Sequence, residues 1–488
     1  MRARSRLAPT SIRRPATTAT LLALQFLLLM LAGPAAATSE SKAFVITSDF
    51  STGSMSAVDL DTRAVAKDVA GVWRDATLRW FNGKLYVVNR LGQDNIQVVD
   101  PAAGYATVLQ FSTDPGSNPQ DIAFATPTKA FVSLYGRQAL LVCNPQTGAT
   151  LDTISLASFA DADHLPEMAH LALVNGRLFV AVQRLDRLNG YKPTDYSLVV
   201  AIDVLADTVL DADPITPGKQ GIMLTGKNPV TTFSYVPETH RLLIGCAGAF
   251  QQFDGGVESI DVDGLRSDGL IALESQLGGD IGDIEWYSPT HSYAIVSDVG
   301  FNSSLIAFNP SNGAKLGTLR APGGFSLPDC AINDRGEIYV ADNGFLTAGL
   351  YVYRAGADTL IAGPLDTGLP PNQITFDAVR AEVAGVGGSG GPGVMARAIE
   401  LAAPWPNPAR KGVTLALRLR ESGTLRVEVF DLAGRRVATL ADGPRKAGEV
   451  ALQWNGSGPG GRPAEPGIYL ARARVGNVTE ARRFVLIK

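Results

Sequence analysis

A short apolar run recurs seven times along the first three-quarters of the chain: Ala43-Phe44-Val45-Ile46, Leu85-Tyr86-Val87-Val88, Ala130-Phe131-Val132, Leu178-Phe179-Val180-Ala181, Leu242-Leu243-Ile244, Tyr293-Ala294-Ile295-Val296 and Ile338-Tyr339-Val340-Ala341. With Phe44, Tyr86, Phe131, Phe179, Leu243, Tyr293 and Tyr339 as reference positions, the intervals are 42, 45, 48, 64, 50 and 46 residues. Runs this short, rich in β-branched and aromatic residues, read as strands, and no long stretch with apolar residues at i, i+3, i+4 and i+7 follows the N-terminus. A period of this size accommodates four short strands per repeat. Many repeats then reach a turn in which Asp or Asn is followed by Pro and, two or three residues on, Gly, as in Asp100-Pro101-Ala102-Ala103-Gly104, Asn144-Pro145-Gln146-Thr147-Gly148 and Asn309-Pro310-Ser311-Asn312-Gly313. The acid or amide bonds the turn backbone, Pro presets φ, and Gly takes the left-handed conformation.

Hairpin turns such as Asn82-Gly83 and Asn175-Gly176 stand just before the recurring run, which makes it the second strand of its repeat. The first repeat has too few residues ahead of Phe44 to supply a first strand. Gln373-Ile374-Thr375-Phe376, after the seventh repeat, has the right character to fill that place and close a ring. The expected fold is therefore all-β: a seven-bladed β-propeller over residues 38–380, followed by a small Ig-like β-sandwich. Residues 381–398, with Gly-Gly-Ser-Gly-Gly inside them, read as a linker. In 399–488, Val413–Leu419 and Leu425–Val429 alternate apolar with mostly polar positions, as strands with one buried face do. Two insertions, Leu188–Tyr196 and Leu205–Thr231, break the period and are expected to be surface loops.

Residues 1–37 carry five arginines, an apolar run Leu21–Ala32 and then Ala35-Ala36-Ala37, the layout of a secretory signal peptide. That run is too short to span a bilayer, so no membrane span is expected. The three cysteines, Cys143, Cys246 and Cys330, cannot all pair and are expected to be buried free thiols. The net charge of −4 divides unevenly: +5 in residues 1–37, +8 in 397–488, and −17 in the repeats between them. An acidic repeat region argues against nucleic acid as a partner and allows cations or basic ligands.

The C-terminal residues carry a resemblance. Pro406-Asn407-Pro408, then Val429-Phe430-Asp431-Leu432-Ala433-Gly434-Arg435-Arg436-Val437, then Pro466-Gly467-Ile468-Tyr469, and Arg483-Phe484-Val485-Leu486-Ile487-Lys488 at the terminus resemble the C-terminal sorting domain of type IX secretion cargo. They are also similar to the related Ig-like domain of the flagellar hook-capping protein. The resemblance implies a partner in the secretion machinery and a location outside the cell or on its outer surface. It makes Pro406, Asn407, Pro408, Asp431, Gly434, Gly467, Tyr469 and Lys488 the sorting motif. Read from the residues alone, Asp431 and Gly434 build a turn and Gly467 admits the chain to a strand. The wording Leu85–Asn89 and Ile338–Asn343 resembles YVTN and NHL-type propeller repeats, which implies an architecture rather than an activity.

Four repeats place an acid just ahead of the expected innermost strand: Asp75, Asp121, Asp283 and Asp329. Equivalent positions in a closed ring face the channel mouth. Two readings stand. These carboxylates, with Glu167, converge on a hard cation such as Ca2+, or each accepts hydrogen bonds from its own loop and recurs because the loop recurs. No cofactor beyond that Ca2+ is implied. His164-Leu165-Pro166-Glu167-Met168-Ala169-His170, preceded by Asp161 and Asp163, is the densest cluster of metal-ligating or acid–base groups, but its spacing matches no zinc motif. His170 is the residue through which a metal or hydrolytic site would act. Trp73, Trp80, Tyr135 and Trp286 either stack on a ligand or fill space between blades.

No nucleophile elbow, phosphate loop or paired Cys-x-x-Cys is present. The sequence thus favours an exported propeller that binds a glycan, peptide or small molecule. A hydrolase or lyase using channel acids or His170 is the alternative, and a structural surface-layer component the third reading.

Overall fold

The computed structural model describes residues 40–377 and, beyond them, 399–401, 404, 409–419, 422–431, 435–458, 462–475 and 478–487. The expected signal peptide and linker lie outside the described residues. The chain divides into two compact units, separated between residues 377 and 399. Among the described residues no helix is long and apolar enough to cross a membrane.

The first unit is a β-propeller built of seven successive antiparallel sheets, and in all but the first the strands run in chain order from the inside outward. All seven recurring runs are second strands, from Lys42–Ser48 in sheet 1 to Glu337–Asp342 in sheet 7. Sheet 1 takes its innermost strand from the far end of the unit. Pro371–Phe376 pairs antiparallel with Lys42–Ser48, setting Ala43 opposite Phe376, Phe44 opposite Thr375 and Val45 opposite Ile374. Sheet 4 carries both insertions: a two-stranded ribbon, Leu185–Asp186 with Lys192–Pro193, and an additional short strand, Ile222–Met223.

The second strands read as unbroken apolar runs because both faces of each sheet are covered. Phe44 and Ile46 pack with Leu78, Leu85 and Val87 of sheet 2. Ala43 and Val45, on the other face, pack with Tyr339, Ala341 and Val352 of sheet 7. Further clusters join sheets 2, 3 and 4, then 4 to 5, 5 to 6 and 6 to 7, so the apolar layers run round the whole circle. Trp80 stacks on Phe44 at 5.4 Å and Trp286 is buried, so both fill space between sheets. Cys143, Cys246 and Cys330 are buried free thiols.

The turns between third and fourth strands follow the expected chemistry. Asp59, Asp100, Asn144, Asp203, Asp261 and Asn309 each accept a backbone N–H two residues on through a side-chain oxygen. Such local bonds hold the turn without help from packing.

The second unit is a sandwich of a three-stranded sheet, Ile399–Leu401, Val413–Leu419 and Gly448–Trp454, and a four-stranded sheet containing Gly423–Asp431, Arg436–Arg445, Gly467–Val475 and Val478–Leu486. Its core gathers Trp454, Tyr469 and Phe484 at ring-centroid distances of 5.1, 5.5 and 5.8 Å.

The closing strand can be tested by truncation. A chain ending at Ala384 retains Pro371–Phe376, whereas one ending at Thr367 leaves the second strand of sheet 1 with an open edge. The shorter chain should melt at least about 10 °C below the longer one, or fail to fold, by circular dichroism. Equal midpoints would count against ring closure by this strand.

Candidate functional site

Each innermost strand has one paired edge and one edge whose amides face the channel. Those amides need acceptors. For five of the seven innermost strands, a side chain of the preceding sheet supplies one. Asp121 on the inner strand of sheet 3 (Pro119–Thr126) accepts from Leu171 N of sheet 4 at 3.0 Å. Ser234 of sheet 5 accepts from Trp286 N of sheet 6 at 3.0 Å, and Asp283 of sheet 6 accepts from Cys330 N of sheet 7 at 2.9 Å. Asp329 of sheet 7 accepts from Ile374 N of the closing strand at 2.8 Å, and Gln373 there accepts from Leu78 N of sheet 2 at 2.5 Å. The recurring acids thus bond the next sheet's backbone. Asp121 also accepts from its own neighbour, Ile122 N.

Asp75 stands apart. It lies one residue outside the inner strand Ala76–Phe81 and pairs with Arg90, whose Nε donates to it at 2.8 Å. Its offset of eleven residues from the reference aromatic, against ten for the other three, marks this difference in the sequence.

Arg79, buried in the inner strand of sheet 2, donates to both oxygens of Asp121, Nε at 2.9 Å and Nη2 at 3.0 Å. Despite complete burial, which by itself raises its pKa, Asp121 is held down at about 2 by the Arg79 charge with His170 and hydrogen bonds adding to it. The His170 Nδ1 lies 3.7 Å from Asp121 and has no hydrogen-bond partner. Asp283 and Asp329, on adjacent inner strands, behave oppositely. Burial pushes Asp283 up to about 6, and burial plus the Asp283 charge drives Asp329 well above the carboxylate range.

Glu167 does not join these carboxylates. Among the described residues, the one group of three or more metal-ligating side chains with ligand atoms within 4.8 Å of one another is Asp161, Asp163 and Glu167. It sits in the connection from sheet 3 to sheet 4, beside the inserted turn of sheet 4. Arg187 of that turn donates to Asp163 at 2.6 Å. Burial, with the charges of Asp163 and Asp161 adding to it, lifts Glu167 to about 8. Asp163 and Arg187 also line a groove of about 600 Å³, with Asp114, Arg137, Gln138 and His164 among its other walls.

The turns between second and third strands lie on the same face of the ring as the connections from one sheet to the next. Six of the seven carry a large exposed apolar side chain: Phe50, Leu91, Leu188, Phe250, Phe301 and Phe345, the last 99% exposed. Phe325, in the connection from sheet 6 to sheet 7, is exposed too. This ring of tips, the residues Arg79 and Ser234, and the acceptor role of Gln373 within the closing strand were not read from the sequence. Single apolar residues in turns leave no periodic trace, and Gln373 acquires its role only through ring closure.

In the C-terminal unit, Asp431 brackets a turn, accepting from Arg435 N at 3.0 Å and Arg435 Nε at 2.8 Å. Tyr469 is buried and its hydroxyl donates to Glu465 O at 2.5 Å. Residues 409–477 match the family model of the FlgD Ig-like domain. Within this FlgD Ig-like domain, Gly467 opens its strand as expected. Its φ is not left-handed, however, and a Cβ there would meet nothing within 4 Å, so the backbone does not demand glycine. Pro406, Asn407, Pro408, Gly434 and Lys488 lie outside the described residues.

No curated protein matches the chain. Among solved structures, apo AztD from Citrobacter koseri is 11% identical at a TM-score of 0.42, over 72% of this chain and 100% of that one. A protein of unknown function from Bacteroides caccae is 12% identical at 0.37, over 60% and 99%. A putative gluconolactonase is 10% identical at 0.35, over 56% and 90%. Likeness at these values carries no argument about activity.

Ser234→Ala leaves Trp286 N–H without its acceptor and should cost about 1–3 kcal/mol in denaturant unfolding. Asp283→Asn keeps an acceptor for Cys330 N while removing the disfavoured charge, and should be neutral or stabilising at pH 7. A large loss with Asp283→Asn would mean that the carboxylate charge itself matters.

The pH dependence has a definite sign. Glu167 at about 8, Glu274 at about 7 and Asp283 at about 6 all hold protons more tightly folded than unfolded. Their contribution is complete below the ordinary carboxylate values and is lost as pH rises toward 8. Asp121, lowered to about 2, contributes above its ordinary value of 3.8 and loses that as pH falls through 2. The thermal midpoint should therefore decline between pH 5 and about 8.5. Glu167→Gln with Glu274→Gln should flatten the decline.

Proposed function

We propose that this chain is an exported, non-enzymatic propeller that holds a protein partner on the face carrying the apolar tips, and that its FlgD Ig-like domain serves delivery or surface attachment. The observation that carries the reading is the placement of Phe50, Leu91, Leu188, Phe250, Phe301 and Phe345 in solvent on one face. Large apolar side chains at the equivalent turn of six sheets out of seven suit a face that a partner covers. The tips belong to six different sheets, so the surface is broad, which suits a macromolecule better than a small ligand. An excess of 17 negative charges in residues 38–396 disfavours nucleic acid and anionic bilayers.

The channel groups support binding over hydrolysis. Asp121 is fully engaged by Arg79, Leu171 N and Ile122 N, and Asp283 and Asp329 each accept a backbone amide. Carboxylates so committed have little capacity to activate water. Export rests on the arrangement of residues 1–37, and sorting on the resemblance of residues 399–488.

Serine at Phe50, Phe301, Phe345 and Leu346 together should leave the thermal midpoint within about 2 °C, because exposed side chains contribute little packing. The same variant should bind anilinonaphthalene sulfonate several-fold less in the native state, and should lose photo-crosslinks formed from the Leu91 turn to extracellular proteins. Unchanged dye binding and crosslinking would reject the face as a docking surface. Delivery is tested separately in cells with a type IX apparatus, by comparing the medium and the mature mass for the full chain and one ending at Ala384. Equal delivery, with the tail still present on the full chain, would reject the sorting role.

A further inference from the structure

The connection between sheets 3 and 4 gathers more negative charge than its surroundings satisfy. Asp161, Asp163 and Glu167 bring one ligand oxygen each within 4.8 Å of the others. Glu167 is fully buried, at 0% exposure. Its Oε2 accepts from Leu185 N at 3.2 Å, but its Oε1 has no hydrogen-bond donor. The Asp161 Oδ2 is likewise buried without a donor. A carboxylate oxygen withdrawn from water and given no partner is costly, and native structures retain one where something else meets it.

Two arginines stand nearby, and neither resolves the deficit. Arg187 Nε is bonded to Asp163 and lies 3.9 Å from Glu167 Oε1, beyond hydrogen-bond reach. Arg184 is stacked on Tyr196 with its guanidinium carbon 3.8 Å from the ring centroid, and its buried Nε and Nη1 have no acceptor. The orphaned oxygens therefore find no donor among the side chains around them.

We infer that Asp161, Asp163 and Glu167 form a divalent-cation site that takes Ca2+ through oxygen ligands, with Arg187 as the exchangeable counter-charge. The donor set is all oxygen, with no histidine or cysteine among its members, which suits a hard cation and not zinc. The ligands come from an irregular loop, and Ca2+ tolerates the uneven geometry such a loop offers better than Mg2+ does. Arg187 has 39% of its side chain exposed and a long stem, so it can leave for solvent when the ion arrives. The ion would fasten the loop 161–167 from within, at the rim of the groove. The site stands independently of what the apolar tips bind, and its failure would leave that reading intact.

Terbium, a luminescent substitute for Ca2+, provides the test on the full chain. Tyr135, between Leu134 and Gly136 on the wall of the groove that Asp163 also lines, is placed to sensitise it. The expected result is a saturable signal from one equivalent of terbium, displaced by Ca2+. Glu167→Gln and Asp161→Asn should each weaken it at least about tenfold. Arg187→Ala should bind as tightly as the wild type or more tightly. Without metal, Glu167→Gln should melt close to the wild type, because the amide keeps an oxygen to accept from Leu185 N, so lost binding would not reflect lost folding. Absence of a saturable signal, or identical titrations for wild type, Glu167→Gln and Asp161→Asn, would overturn the site.

Discussion

The structure depends on the unpaired edge of the innermost strand. A sheet that starts at a central channel pairs its first strand on one side only, and no further strand can fit on the other. The exposed amides must be met by side chains, and in a closed ring the nearest side chains belong to the sheet before. Asp121, Ser234, Asp283, Asp329 and Gln373 answer that requirement. The same bonds join each of these sheets to its successor. The inner ring is thus hydrogen-bonded where the outer layers are joined by apolar contact.

Using carboxylates for this purpose has an electrostatic consequence. An acid buried to accept one or two amides has lost water and gained less than a full charge's compensation, so its pKa rises unless a cation stands beside it. Asp121 has Arg79 beside it and stays low; Asp283 rises through burial, and Asp329 through burial and the charge of Asp283. Perturbed acids near a channel would ordinarily suggest catalysis. Here the perturbation follows from a structural duty, and the same geometry that shifts these groups occupies their lone pairs.

The fold was legible because its signals are local and repeated. Phe44 and its six counterparts announce second strands, and Asp100, Asn144 and Asn309 announce their turns through bonds two residues long. Even the closing strand could be anticipated, since the first repeat lacks a partner that Gln373–Phe376 can provide. The recurrence of Asp121, Asp283 and Asp329 was also visible, and so was an acceptor role toward their own loops, but not the partners they have: the bonded amides lie some fifty residues away in the next sheet. Glu167 was grouped in the sequence with the wrong acids for a related reason. Its partners Asp161 and Asp163 precede it in the same loop, and it stands twelve residues ahead of Phe179 where the channel acids stand ten ahead of their reference aromatics.

The two faces of the ring differ in a way that turn formation does not require. Asp49 and Asp298 cap their turns through the same side-chain bonds as Asp59 and Asn309 on the opposite face. The capping chemistry is therefore shared, and the residue at the tip is free to vary. On one face the tips include Phe50 and Phe301; on the other they are residues such as Asp61 and Ser311, with Leu205 of sheet 4 the exposed apolar exception. An exposed phenylalanine adds nothing to a turn already held by an aspartate, and it lowers solubility. Its presence at one face, in sheet after sheet, points to a constraint from outside the fold. The inserted turn of sheet 4, with Leu188 at its tip and Arg187 against the acidic loop, belongs to that same face.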